Sequence, residues 1–482
     1  MSAYAPLSRL ILALTAVLQL LVAGLAPLSA ASDIPAAQND LVAVQAPVVR
    51  PGLPSQRFPR GSRLVSLNGP GRALMTLTPD YFAAADPRAS FDGHLILFSG
   101  RKSSEATWQI WEMEANGAHA RQITHCATDC MQPAYLPRGE IVFTAFTGGT
   151  TDDSEVWVTQ SNGTDAHPIT FGPGGFQVET VLQNGMVLVS ANSPLLPSAG
   201  QAVDRELYML RPDGTGLATL RCDHAHAAIR SQAQELPDGS VVFVKSPPKS
   251  AGTAGELAWI RRGALHNAPL TSPGVSVLAP QPLTAGEIVV SKPEVTTGST
   301  PSKLALYAFN TEQHQFGGLI YRDPKLLSVA AVPVAAHEPP RWYWSTLNPQ
   351  LQVGYFVCMN ARFAQGLPHD RLPGTLSRVR VLAWDEKTQR ETQLGQAPVE
   401  PDGSFYIAVP PDQPVRFELL DPAGKVVRAQ RSWIWSRSGE EHGCVGCHED
   451  RARAPENRWP QALRRMEGAY RLGVEKAAGA GQ

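Results

Sequence analysis

The chain has 482 residues, in which 42 Lys and Arg nearly cancel 43 Asp and Glu for a formal net charge of −1. No basic stripe or acidic block interrupts this balance, which argues against nucleic acid as a partner and against long-range electrostatic steering. Gly and Pro, 41 of each, are frequent while long apolar stretches of 3.6-residue period are nearly absent, so the composition points to an all-β protein with many turns.

The first 31 residues carry one basic residue, Arg9, then an apolar run from Leu10 to Leu25, then Ser29, Ala30 and Ala31 before polar Ser32 and Asp33. This is the pattern of a signal peptide cut after Ala31. The competing reading is an uncleaved anchor, because only Thr15, Gln19 and Gly24 interrupt a run close to bilayer-spanning length. Under either reading the body of the protein is expected to be exported, periplasmic or secreted, and no membrane span is expected to remain after cleavage. The remaining chain, about 450 residues, is too long for one ordinary core and implies two or three domains.

From Asp86 to Tyr321 a weak internal repeat recurs about every 45 residues. The first copy contains Ser90-Phe91-Asp92-Gly93, the apolar run Leu95 to Phe98, Ile110 to Met113, a turn at Asn116-Gly117 and then Ile123-Thr124. The second has Ile141 to Phe143, Val156 to Val158, Asn162-Gly163 and Ile169-Thr170; a third has Met186 to Val189, Leu207 to Leu210 and Asp213-Gly214. The fourth has Asp238-Gly239, Val241 to Val244, Leu257 to Ile260 and Leu270-Thr271, and a looser fifth runs from Pro280 to Phe309. Four short strands per unit, none able to bury both faces alone, predict a β-propeller over residues 32–340. The Ser-x-Asp-Gly turn before an apolar strand resembles the TolB-like repeat. About six blades are expected, the sixth mixing early strands from Leu64 to Thr78 with late ones from Leu327 to Trp344.

A propeller alone does not specify an activity. His125, Asp129, His224 and His226 fall between repeat units and are candidates to line a functional rim; their plainer role is loop solvation. Cys126 and Cys130 are expected to form a local disulfide in an exported protein, leaving Cys222 and Cys358 as separate thiols or a long-range pair.

Beyond Arg341 the pattern changes to alternating strands with Asp-Gly and Gly turns, which suggests a small β-sandwich over residues 341–436. Its strands are expected around Gly354 to Asn360, Val379 to Trp384, Pro401 to Val409 and Val415 to Leu420. Residues 437–482 then hold Cys444-Val445-Gly446-Cys447-His448. Two thiols three positions apart can form thioethers to the vinyl groups of one porphyrin, and the following histidine is placed to reach its iron. With 6 Cys and 12 His in the chain, roughly two chains per thousand of this composition would hold such a string by chance. The expectation is one covalent haem c, with Cys444 and Cys447 as its thiols and His448 as axial ligand. A redox disulfide or half of a zinc site competes, but the other close cysteine pair, Cys126 and Cys130, lies far upstream. Candidates for a second axial ligand are His442, Met359, Met466 and Tyr470. The tail from Arg451, with Arg453, Arg458, Arg464 and Arg465, reads as a short helix and a frayed end.

The stretches Leu372-Pro373-Gly374-Thr375, Arg378 to Leu382, Val399 to Ser404 and Gly439-Glu440 leading into Gly443 to Glu449 resemble the hydrazine synthase alpha subunit and related bacterial proteins. In that family a TolB-like propeller precedes a β-rich middle domain ending in a CxxCH haem site, so the resemblance implies a propeller packed on a haem-bearing domain. The family's further C-terminal domain with a second haem has no counterpart CxxCH in this sequence, and Ala452 stands where the synthase has a tyrosine near its first haem. Electron transfer or another haem redox role with a redox partner protein is the leading reading. The alternatives are a haem oxidoreductase acting on a small nitrogen or oxygen species, and a recognition scaffold with a structural haem or metal.

Overall fold

The computed structural model describes residues 40–474 except 69–72, 149–152, 193–203, 222–226, 249, 251–253, 265, 295–302, 365–368, 370, 431 and 447–457. The expected signal segment therefore lies outside the described residues, and no helix among those described is long and apolar enough to cross a membrane.

The fold is all-β, a six-bladed propeller followed by a sandwich. Each blade starts at the central channel. Blade 1 comprises Ala83–Ala89, Leu95–Arg101, Gln109–Glu114 and Arg121–Gln122; blade 2 comprises Asp129–Tyr135, Ile141–Phe146, Ser154–Thr159 and His167–Pro168. Blade 3 comprises Gln177–Val181, Val187–Asn192, Arg205–Leu210 and Ala218–Thr219, and blade 4 Ile229–Glu235, Val241–Ser246, Glu256–Ile260 and Ala268–Pro269. Blade 5 comprises Leu278–Thr284, Glu287–Glu294, Lys303–Asn310 and Gln315–Tyr321. Blade 6 closes the ring, with late strand Leu327–Pro333 innermost and early strands Leu41–Ala46, Arg63–Asn68 and Ala73–Thr76 outside it. The mixed closure is as expected from the sequence, with one strand more: Leu41–Ala46 is buried at every position and shows no alternation to mark it as a strand.

Period-2 alternation splits each blade between two apolar layers. Ile96 and Phe98 face blade 6, while Leu97 and Ile110 face Ile141 and Phe143 of blade 2. Val142 and Val156 then meet Val178 and Val189 of blade 3, and Leu188 and Leu207 meet Phe243 and Ile260 of blade 4. The layers continue through Val242 and Ile288 and through Val289 and Leu41, so all six blade faces are covered and no repeat is stable without its neighbours.

The innermost strands share a bulge. Asp86, Gln132, Gln232, Ala279 and Ala330 have φ between 46° and 56° where the register with the second strand slips, and blade 3 slips at the corresponding place around Glu179. An extra residue twists the strand and re-aims side chains, here into the channel. Hydrogen bonds stitch successive bulges together: Gln132 N donates to Ser99 Oγ (3.1 Å), Val178 N to Thr144 Oγ1 (2.9 Å), Ala279 N to Gln232 Oε1 (2.7 Å) and Ala330 N to Ser291 Oγ (3.2 Å).

The sandwich has two four-stranded sheets. One runs in the order Glu441–Cys444, Gly354–Cys358, Phe405–Val409, Tyr470–Arg471; the other runs Arg390–Pro398, Arg378–Asp385, Val415–Leu420, Val426–Ala429. Phe356, Val379, Val381, Ile407, Val409 and Val415 fill the space between them. The segment beyond residue 436, expected as a separate haem-bearing piece, supplies both edge strands of the first sheet. The tail forms a 3-10 turn at Gln461–Arg464 and the strand Tyr470–Arg471, where a short helix and a frayed end were expected.

Candidate functional site

The first cysteine of the motif ends an edge strand. Glu441 to Cys444 pair in parallel with Tyr355 to Cys358, residue for residue, so Cys444 stands beside Cys358 and His442 beside Phe356. Alternation puts His442 and Cys444 on the same face, toward the sandwich core, where the half-buried Cys444 packs against the cluster that includes Cys358. The loop after Cys358 continues the grip: Met359 N donates to Cys444 O (2.9 Å) and Asn360 N to Val445 O (3.1 Å).

Gly446, between the two motif cysteines, lies against Phe363, whose carbonyl oxygen would be 2.8 Å and Cδ1 2.7 Å from a Cβ at that position. The motif needs a residue without a side chain there. A second close approach fixes the platform below it, since a Cβ at Gly403 would lie 2.3 Å from Asn360 Oδ1. Ala361 N donates to Gly403 O (2.7 Å), and the neighbouring Asp402 accepts from Gln461 N (2.9 Å) while its carbonyl accepts from Arg458 Nη2 (2.9 Å). The described chain therefore leaves the motif at Gly446 and resumes at Arg458 on the same end of the sandwich. Cys447 and His448 lie outside the described residues.

On the opposite face of the sheet, Tyr355 and Tyr406 stack with ring centroids 5.7 Å apart next to Glu441. Burial, and then the negative charge of Glu441, push the Tyr406 hydroxyl up to about 12, so it remains a neutral hydrogen-bonding group at neutral pH.

The four candidate second ligands separate clearly. Met359 is half-buried and bonded through its backbone to the motif. His442 is also close, its ring centroid 5.4 Å from that of Phe356 and its Nδ1 3.8 Å from Glu440 Oε1. Tyr470 occupies the far edge of the same sheet, three strand spacings or about 14 Å away, under the guanidinium of Arg465. Met466 is fully exposed. Sequence reasoning named the motif but not its support: Cys358, Phe363 and Gly403 are set by register and loop contacts between distant segments, and only the Asp-Gly turn at Gly403 was a local signal.

The segment just before the motif docks the sandwich on the propeller. Trp435, 1% exposed, donates from Nε1 to Gly214 O (2.9 Å) and sits edge-on to Phe171 and Phe176. Arg437 Nη1 donates to Asp213 O (2.7 Å), and Glu440 accepts from Gly216 N (2.8 Å) and Arg437 N (2.7 Å). The motif strand Glu441–Cys444 begins at the next residue, with Cys444 four residues past Glu440, so the propeller sets the position of the motif strand.

Cys126 and Cys130 form the expected disulfide. They are thereby removed as a second ligand pair for zinc, and among the described residues no cluster of three or more His, Cys, Asp or Glu is placed to hold a metal ion. Asp129, a rim candidate, caps blade 1 by accepting from Trp108 N (2.9 Å), and His125 is exposed beside Gln122. Cys222, His224 and His226 lie outside the described residues.

Residues 361–449 match the family model described as the hydrazine synthase alpha subunit middle domain. The chain is alpha-subunit-like. Hydrazine synthase subunit alpha of Kuenenia stuttgartiensis is 23% identical over 560 aligned positions, covering 88% of this chain and 68% of that protein. The solved structure of Kuenenia stuttgartiensis hydrazine synthase superposes with a TM-score of 0.78 at 21% identity, over 88% of this chain and 71% of that one, which establishes the shared fold. TolB from Acinetobacter baumannii is a more distant match, with a TM-score of 0.45 and 13% identity over 62% of this chain and 67% of its own. The segment matched to the alpha subunit middle domain contains the whole Cys444 to His448 motif.

Proposed function

We propose that this alpha-subunit-like protein is an exported c-type haem protein that acts in electron transfer or haem-based redox chemistry with a redox partner. The observation that carries the reading is the motif itself: two thiols and an imidazole, Cys444, Cys447 and His448, in thioether spacing. The donor set suits covalent haem, and the close packing of Gly446 on Phe363 supports a fixed backbone path between the thiols. Cys444 and Cys447 would hold the porphyrin and His448 its iron, where the group would supply one-electron redox chemistry. The Cys126–Cys130 disulfide supports export, since such bonds persist in oxidising compartments.

Met359 gives the closed, six-coordinate form a specific candidate, because its backbone is bonded to Cys444. The test is the visible spectrum and haem-stained denaturing gel of protein made in a host that attaches c-type haem. A stained band that disappears in Cys444→Ala/Cys447→Ala, with a low-spin spectrum that turns high-spin in Met359→Ala, is expected. An unstained wild-type band would sink the redox reading, and a high-spin wild type would move it to the oxidoreductase.

A further inference from the structure

The propeller channel holds a group of charges unrelated to the motif. Arg88 starts on the innermost strand of blade 1, two residues past the bulge at Asp86, and its Nη2 donates to Glu179 O (3.0 Å) of blade 3. The bond skips blade 2, and innermost strands two blades apart meet only across the channel. Arg57 comes from outside the blades, on the short helix Pro54–Arg57 packed against the innermost strand of blade 2. That helix is tied in place by Trp108 Nε1, which donates to Ser55 O (2.8 Å). Both guanidiniums sense the same two carboxylates, Asp86 and Glu179, so they share one region of the channel.

The carboxylates do not satisfy them. Asp86 Oδ2 accepts from Ser99 Oγ (2.8 Å) and Glu179 Oε2 from Ala233 N (2.9 Å). The Nε atoms of Arg57 and Arg88 are both buried and lack hydrogen-bond partners among the described residues. Buried charged donors are rarely left unmade, and a guanidinium edge presents paired N–H groups matched to two oxygens of one anion.

We propose that the channel binds a small oxoanion between Arg57 and Arg88. Its occupant is recognised by oxygen acceptors and negative charge, which makes nitrate, sulfate and phosphate the natural probes. Burial works against both guanidinium charges by more than Asp86 and Glu179 offset, and it pushes the Glu179 carboxyl up toward its neutral form. Each effect raises the demand for an anion at this point. The site is separate from the motif and does not depend on the haem reading.

The experiment is calorimetric titration of the full chain, in a low-chloride buffer of a non-coordinating zwitterion, with sodium nitrate, sulfate and phosphate in turn. One-site binding of at least one anion is expected, retained in Cys444→Ala/Cys447→Ala, and weakened tenfold or more in Arg88→Gln and in Arg57→Gln. Arg88→Lys, which keeps the charge but loses the paired donors, is expected to weaken it less. Absence of binding of all three anions to the wild type overturns the proposal whether or not the variants fold, and so does binding unchanged in both glutamine variants.

Discussion

Cys358 and Cys444 are register partners in neighbouring parallel strands and pack into the same apolar core of the sandwich. A third thiol thus stands beside the motif, though far from it in sequence. The proposed attachment uses Cys444 and Cys447, so Cys358→Ala should keep the haem stain and its mass increment. Its cost should be about 1 kcal/mol in denaturant unfolding, for a small buried side chain. Loss of the stain in this variant with the fold intact would show that Cys358 takes part in attachment.

The clamp ahead of the motif makes a second prediction. Trp435 is fully buried between Phe171, Phe176 and the Gly214 carbonyl, so Trp435→Ala should destabilise the chain by about 4 kcal/mol. Trp435→Phe keeps most of the packing and gives up the Nε1 bond, for a cost of about 1 kcal/mol. Separate unfolding transitions for propeller and sandwich should appear in the alanine variant on calorimetry, and one unchanged transition would show that the clamp does not couple them.

One contact between blades 1 and 2 has room only for a glycine. Gly163, in the turn before the outermost strand of blade 2, has φ +84°, and a Cβ there would lie 2.1 Å from Ile123 O of blade 1. Gly139 has nearly the same φ, +86°, with nothing within 4 Å. Gly139→Ala should therefore cost only its backbone strain, about 1 kcal/mol, while Gly163→Ala adds a backbone clash and should cost about 3 kcal/mol or more. Equal losses in chemical denaturation would mean that the contact with Ile123 is relaxed at little cost.

These contacts also show what the chain declares locally. The second and third strands of blades 1 to 4 were legible because turns such as Asp92-Gly93 and Asp238-Gly239 precede apolar runs at a fixed period, whereas innermost strands such as Ala83–Ala89 and Asp129–Tyr135, bent by a bulge, were not. Cys444 to His448 was legible because thioether chemistry dictates its spacing. Leu41–Ala46 was not, since a strand buried on both faces has no alternation. The pairing of Cys358 with Cys444 and the reach of Arg88 to Glu179 across the channel were hidden for another reason: each depends on register or ring closure between segments that share no local pattern.

The last prediction concerns pH at the boundary between the domains. Glu155 lies on the third strand of blade 2, and Glu386 lies in the sandwich turn after Arg378–Asp385. Burial first, and then the charge of Glu386, raise the Glu155 carboxyl from 4.5 to about 7. An acid raised in this way holds its proton more tightly in the folded chain than in the unfolded one. Its contribution is most favourable below the unfolded value of 4.5, declines as pH rises to about 7 and is flat above that. Glu155→Gln removes the titrating group, so the Tm of wild type minus that of the variant should fall between about pH 4.5 and pH 7 and stay flat above that. Glu386→Gln removes the repulsion and should move that decline to lower pH, leaving only the effect of burial. Parallel Tm curves for wild type and Glu155→Gln would show that the Glu155 carboxyl is not raised, and a decline left in place by Glu386→Gln would show that the two carboxylates do not sense each other across the boundary.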